Sequence, residues 1–359
     1  MAHSIRSPSR ELHSELHSLQ EAQERDDTLS VETVERPPSD ISERQTSKPP
    51  NPLSIHVLAL LIPASAFGLL ARLGLDALAT YDGNSIFPLA YAQAVGCLVM
   101  GFAVGLKEPF GNFYPPLYTA LTTGFCGSLT TFSGWQLDVF DSWIITGQHT
   151  RGGLRDFIDG VGKSAFTLSI SIASVTFGYR LAFAIYPYLP TISPPTRPIR
   201  YTITIISILT YAATLPTYFL MSPGFRHQAT AALLFAFPGA LTRYLLSVRL
   251  NTVLKAFPLG TFVVNSIGTA LLGGFTVLQF KIHPVSPDAC ALIQGLIDGY
   301  CGCLTTVSTF AVEVHGLKLK KGARYALLSW TVGQVLLLLI FGSSIWSGHA
   351  REQATCNFV

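Results

Sequence analysis

The chain is short of charge. Asp, Glu, Lys and Arg together make up 13% of its residues, against roughly 25% in an average soluble domain. The deficit falls after residue 52, so a polar beginning masks how apolar the rest is. An ordinary water-soluble globule is excluded. The in-out alternation of a transmembrane β-barrel, about ten residues per segment, is missing too. Catalytic signatures are lacking: there is no phosphate loop, no GxSxG and no HExxH. Lys163 follows Gly160-Val161-Gly162, but no strand precedes it, so a nucleotide site is not expected. Neither an enzyme nor a nucleic-acid partner is expected, because the basic residues behind the net charge of +3 sit in loops and tails. Six cysteines are present without a CxxC. Cys301 and Cys303 are two apart with no His at matching spacing, Cys97, Cys126 and Cys290 lie in or near apolar segments, and Cys356 is near the end. They read as small packing residues and not as metal or redox groups.

What is abundant is continuous apolar sequence. Hydrophobic residues make up 49%, and apolar runs of about 20 residues recur, the length a membrane-crossing helix needs. The fold expected is an all-α polytopic membrane protein in a lipid bilayer. Residues 1–52, rich in Glu, Arg, Ser, Gln and Pro, read as a disordered cytosolic tail and not a signal peptide. Nine spans follow, at about 54–80, 87–106, 116–140, 162–186, 201–221, 228–248, 258–280, 288–314 and 322–346, with a Pro-rich connector at 187–198. Inner loops would hold Lys107, Arg197, Arg200, Arg249, Lys255, Lys318, Lys320, Lys321 and Arg324. Outer segments would hold Arg151, Arg155, Arg226, Lys281 and Arg351. The inner excess places the N-terminus in the cytosol and the C-terminus outside.

One phrase occurs twice: GFCGSLTTFSGW at 124–135 and GYCGCLTTVSTF at 299–310. The repeat extends further. Gly68-x-x-x-Arg72 pairs with Gly239-x-x-x-Arg243, Gln93-x-x-Gly96 with Asn265-x-x-Gly268, and Asp138 with Glu313. The offset stays between 171 (Arg72 to Arg243) and 175 (Asp138 to Glu313). Spans one to four match spans six to nine, and the unmatched fifth turns the second unit upside down in the membrane. The boundaries expected are a first repeat at 53–190, a linker with the inverting helix at 191–224, a second repeat at 225–347 and a short tail at 348–359.

Small and hydroxyl residues at mid-span permit a break in helical hydrogen bonding, whose freed carbonyls need protein, water or an ion. Two breaks meeting on the pseudo-two-fold axis would offer carbonyls to a cation; the competing reading is a close helix contact through small residues. Arg72 and Arg243 read either as snorkelling residues or as functional ones, and their matched positions favour a vestibule that gathers anions. Asn265 either bridges helices or lines a water-filled route. Its counterpart Gln93 is longer and is not expected to present its amide at the same spot. Ser329, Thr331 and Gln334, and likewise Ser169, Ser171 and Ser174, read as polar rails, although such hydroxyls often bond their own helix. Asp138 and Glu313 read as structural.

These motifs resemble the fluoride channel family called Fluc or CrcB in bacteria, in its fused eukaryotic form, the fluoride export (FEX) proteins. The resemblance covers nearly all of 54–346. It implies a passive, fluoride-selective channel in the plasma membrane, built by one chain acting as a monomer. It also implies a structural Na⁺ on the backbone carbonyls of Gly127, Thr130, Gly302 and Thr305. The family's aromatic box maps onto Phe132, Trp135, Val307 and Phe310, its pore Asn onto Asn265 with Gln93 opposite, its Arg onto Arg72 and Arg243, its Thr pair onto Thr131 and Thr306, and its polar-track Ser onto Ser329. The departures at Gln93, Val307 and Trp135 imply one intact pore containing Phe132 and Phe310 and one degenerate pore containing Val307 and Trp135. The alternatives are a cation-coupled small-anion carrier on the same repeat, or a membrane scaffold whose tail binds partners.

Overall fold

The computed structural model describes residues 51–358 apart from 81–86, 88, 145–151, 191–192, 223–225, 255–256, 282, 284 and 352–353. Residues 1–50 form a separate unit outside this description, so the disordered-tail reading falls outside it, as do Arg151 and Lys255 of the charge count. The unit from Asn51 onward is helical, and its β-structure among the described residues is a single antiparallel bridge between Lys281 and Ala350.

Helix α1 (Ile55–Ala79) starts on the Ser54 hydroxyl, which accepts from the Val57 amide. Helix α2 (Ala90–Gly105) bends by 69° into α3 (Lys107–Phe113). Helix α4 (115–129) contains a π-helical stretch at Ala120–Cys126 and stops at Thr130; α5 (Phe132–Trp143) resumes after it. Helix α6 (Gly153–Ile185) has 33 residues, about 50 Å at 1.5 Å per residue, longer than a bilayer's hydrocarbon core. Helices α7 (Arg197–Leu220), α8 (Ala231–Leu250) and α9 (Leu259–Gln279) follow. Helix α10 (287–304) repeats the design of α4: a π-helical stretch at Leu296–Cys301, then a stop at Thr305, with α11 (Ser308–Gly316) beyond it. Helix α12 (Leu319–Trp346) closes the series.

Among the described residues, seven helices are long and apolar enough to cross a membrane, or eight counting α2 and α3 as one span. The single span expected at about 116–140 is two helices, α4 and α5, on either side of the break. Helix α7 shows why these elements suit lipid. Its buried residues are Thr204, Ser207 and Tyr218, while Ile205, Ile206, Leu209, Leu215 and Phe219 are exposed. An apolar exterior over a polar contact face inverts the soluble pattern; in lipid it exposes nothing unfavourable, and the hydroxyls find partners inside. His56 of α1 thus meets Thr204 at 2.7 Å.

Two cysteines depart from the packing reading. Cys290 and Cys356 form a disulfide, while Cys97, Cys126, Cys301 and Cys303 are buried and free. Within the short tail expected at 348–359, the described residues Ala350, Arg351, Thr355 and Cys356 are fastened to the rest of the chain. Thr355 N donates to Gln279 O (2.9 Å) and Arg351 N to Phe280 O (2.7 Å), beside the Lys281–Ala350 bridge and the disulfide. Backbone groups leaving α12 find partners on the end of α9, which holds the segment down.

Candidate functional site

The two helix breaks meet, and each is completed by the other half of the chain. At Thr130 the backbone turns extended (φ −94°, ψ 147°), and at Thr305 it does the same (φ −92°, ψ 155°). A helix restarting after a break has amide groups that need acceptors. Those of Phe132 and Ser133, opening α5, donate to Thr305 Oγ1 at 3.2 and 3.1 Å. Those of Val307 and Ser308, opening α11, donate to Thr130 Oγ1 at 3.2 and 3.0 Å. Each hydroxyl passes its own proton back to the helix it ends, Thr130 to Cys126 O and Thr305 to Cys301 O, both at 3.0 Å. The caps are therefore exchanged between repeats. Ser133 Oγ and Thr131 Oγ1 lie 3.0 Å from Thr305 Oγ1, and Thr306 Oγ1 lies 3.2 Å from Thr130 Oγ1, which makes a buried hydroxyl cluster.

Both arginines, expected at an anion-gathering vestibule, lie elsewhere. Arg72 and Arg243 are 3% and 2% exposed. Arg72 Nη1 donates to Gly302 O at 2.8 Å and its Nη2 to Asp298 O. Arg243 Nη2 donates to Thr123 O at 2.7 Å. Each guanidinium thus covers the carbonyl end of the other repeat's broken helix, where the helix dipole favours a cation. Side chains at Gly127 and Gly302 would occupy the space of the Arg243 and Arg72 guanidinium groups, so the glycines admit the clamps.

The amides also depart from expectation. Asn265 grips the extended segment at two points: Nδ2 donates to Thr306 O (3.1 Å), and Oδ1 accepts from Thr306 N (2.9 Å). Gln93 does reach the matching carbonyl, with Nε2 donating to Thr131 O at 2.7 Å. Its extra methylene costs it the second contact, because Gln93 Oε1 is buried without a partner.

Around the breaks lies a hydrophobic cluster in which Phe132, Trp135, Phe310 and Tyr325 pack with Val307. The Phe132 and Phe310 rings meet edge-on at 5.5 Å, and Phe310 is 5.2 Å from Tyr325. Glu313 accepts from Thr261 Oγ1 (2.6 Å) and Tyr325 OH (2.8 Å). Sequence reasoning did not single out Thr261 or Tyr325; the available signal was Tyr325 one turn before Ser329 on α12. Ser329 is 3% exposed, and its hydroxyl has no partner. In the first repeat the matching carboxylate belongs to Asp138. It shares a small cavity with Trp135, Lys163 and Thr167, where Lys163 pairs with Asp159 (3.1 Å) and donates to Ser142 Oγ (2.9 Å). Among the described residues no cluster of three or more His, Cys, Asp or Glu converges as a metal site.

Comparison with known proteins agrees with the doubled architecture. The profile of the family described as CrcB-like protein, Camphor Resistance (CrcB), matches twice, at residues 59–179 and 230–343. Fluoride export protein 1 of Candida albicans is 34% identical over 316 residues, covering 81% of this chain and 80% of its own. The protein of the same name from Neurospora crassa is 32% identical over 353 residues, covering 82% and 67%. Fluoride-specific ion channel FluC 1 of Yersinia pseudotuberculosis is 36% identical over 99 residues, 28% of this chain and 72% of its own. No solved structure matches. Two profile matches spanning most of the helical unit, and a relative related along four-fifths of both chains, lead to one assignment: the chain belongs to the CrcB family.

Proposed function

We propose that the protein is a fluoride channel, a monomer whose two inverted four-span repeats, joined by α7, pass F⁻ out of the cell across the plasma membrane. Its relatives are named as fluoride export proteins and fluoride-specific ion channels, which makes the role transport and not catalysis. The observation that carries the reading is the Phe132–Phe310 contact across the repeats, beside the unpartnered Ser329 hydroxyl. Ring edges carry partial positive charge, and a free O–H donates to an anion. Fluoride is small and strongly hydrated, so its shed water has to be replaced by such close donors. Chloride is too large for a lane this narrow. Asn265 holds the extended segment at Thr306, and its second N–H remains for the anion path.

The degenerate lane is the one beside Trp135 and Val307. There Asp138 has the Lys163 ammonium nearby where Glu313 has the Tyr325 phenol, and Gln93 stands for Asn265. Lys163 pairs with Asp159 and donates to the Asp138 main-chain carbonyl, so fixed charge stands in this lane in place of neutral donors and a bare anion has no low-cost route through it.

The central site suits a structural Na⁺ in donor chemistry. The carbonyls of Thr130 and Thr305 sit where the backbone leaves the helix, and no hydrogen bond among the described residues reaches them. Gly302 O keeps one lone pair beside its Arg72 bond; Gly127 O is its counterpart. Oxygen ligands of this kind suit a hard cation, which would neutralise the carbonyl dipoles at the crossing. Thr131 and Thr306 supply the hydroxyls and carbonyls that flank it.

The deciding measurement is fluoride efflux from vesicles holding purified protein. Efflux that follows the fluoride gradient and ignores imposed sodium or proton gradients is expected; efflux that tracks either gradient would establish a coupled carrier instead. The Cys290–Cys356 disulfide supports the proposed orientation alongside loop charge, since such bonds persist in oxidising compartments. With the C-terminus outside, an impermeant reductant on intact cells is expected to expose Cys290 and Cys356 to an impermeant thiol label. Labelling that requires permeabilised cells would reverse the topology.

A further inference from the structure

Two rows of side chains face each other between α5 and α12. Phe132, Gln136 and Phe140 recur every four residues on α5, and Tyr325, Ser329 and Gly333 do so on α12, so each set lines one helix face. The rows are in register: Tyr325 reaches Phe132 through Phe310, and Gly333 lies against Gln136, where a β-carbon would come 2.7 Å from Oε1.

Beyond the aromatic pair runs a chain of hydrogen bonds with a fixed direction. An indole N–H only donates, and Trp143 Nε1 donates to Gln334 Oε1 at 3.0 Å. That sets the Gln334 amide, whose Nε2 then donates to Gln136 O and Gln136 Oε1, both at 2.9 Å. The Gln136 oxygen is thereby an acceptor, and its Nε2 is left over. Gln136 is 0% exposed, and Nε2 has no partner. Ser329, one turn before Gly333, is in the same condition. Among the described residues these two buried donors have no acceptor, an arrangement that is expensive in a membrane bundle unless a guest accepts from them.

We infer that Gln136 Nε2, with Ser329 Oγ, forms a second coordination station for dehydrated fluoride, one helical turn beyond the Phe132–Phe310 gap. Trp143 and Gln334 are positioning residues that keep the Gln136 N–H groups turned toward the anion. The station deepens the fluoride-channel reading and rests on it. A small anion that accepts strong, short hydrogen bonds gains most from such donors, so the station favours fluoride over larger halides.

The test is fluoride efflux from proteoliposomes with Gln136→Met, which keeps length and flexibility but removes both N–H groups. Efflux is expected to fall by roughly tenfold or more. Thermal stability is expected to stay equal or rise, because an unpaired buried donor is gone and Gln334 Nε2 keeps the Gln136 main-chain carbonyl. A purely structural glutamine would do the reverse, lowering the melting temperature with flux per folded protein unchanged. Wild-type efflux from folded Gln136→Met overturns the station. If that variant does not fold, Trp143→Phe takes its place: without the donor that orients the chain, efflux is expected to drop several-fold, and unchanged efflux overturns the proposal. Wild-type protein that passes no fluoride would remove the channel reading, and this station with it.

Discussion

Fluoride efflux is expected to vanish in Phe310→Ile and in Asn265→Asp, and to stay within roughly twofold of wild type in Val307→Ile. The asymmetry follows from where the residues sit. Phe310 bridges Phe132 at 5.5 Å and Tyr325 at 5.2 Å, so isoleucine removes the ring that joins Phe132 of the first repeat to Tyr325 of the second. An aspartate at 265 keeps the acceptor for Thr306 N but loses the amide donor to Thr306 O, and it adds a negative charge beside the anion route. Val307 is fully buried in the same cluster as Trp135, where the proposed degenerate lane has valine in place of an aromatic. Vesicle efflux with an internal fluoride load reads all three. Normal flux in Phe310→Ile removes the aromatic pair from the pathway, and lost flux in Val307→Ile reassigns the degenerate lane.

The largest effect on stability is expected at Thr305 and Thr130. Thr305→Val preserves shape but leaves the amides of Phe132 and Ser133 without their acceptor. Two buried unsatisfied donors cost about 2–6 kcal/mol together, a large share of the 5–15 kcal/mol typical of a folded protein, and correspond to a melting temperature lower by about 10 °C. Thr130→Val orphans Val307 and Ser308 in the same way. Thr305→Ser keeps the hydroxyl and is expected to melt within about 2 °C of wild type. Equal melting of the valine and serine variants in detergent would show that the exchanged caps contribute nothing.

The doubled phrase was legible because it is local: small and hydroxyl residues at mid-span permitted either a helical break or a close helix contact, and both helices do break there. The meeting of Phe132 with Phe310 was implied by the family resemblance and its aromatic box, not by the repeat alone. What the chain did not disclose is reach. A threonine before a helix ordinarily caps its own amides, as Thr131 does for Gly134, so nothing in the phrase announces that Thr130 serves residues 177 and 178 positions away. The arginines were misplaced for a related reason. Spacing along a helix gives the face a residue occupies but not the neighbour that face meets. Gln93 was misjudged by length alone, since a flexible side chain finds the same carbonyl with one contact fewer. The Cys290–Cys356 bond spans 66 residues and depends on where two helix ends finish in space. Gln136 escaped notice because its importance lies in an unfilled hydrogen-bond capacity.

The exchanged caps also bear on how the protein is made. A ribosome delivers α5 well over a hundred residues before it delivers Thr305, so the first half enters the membrane with its broken helix unfinished. Maturation has to wait for the second half to arrive and close both interruptions at once. Quality control during synthesis therefore has a defined window: any pause before residue 305 leaves open amides within the lipid, and a product truncated there exposes them permanently to the cell's degradation machinery.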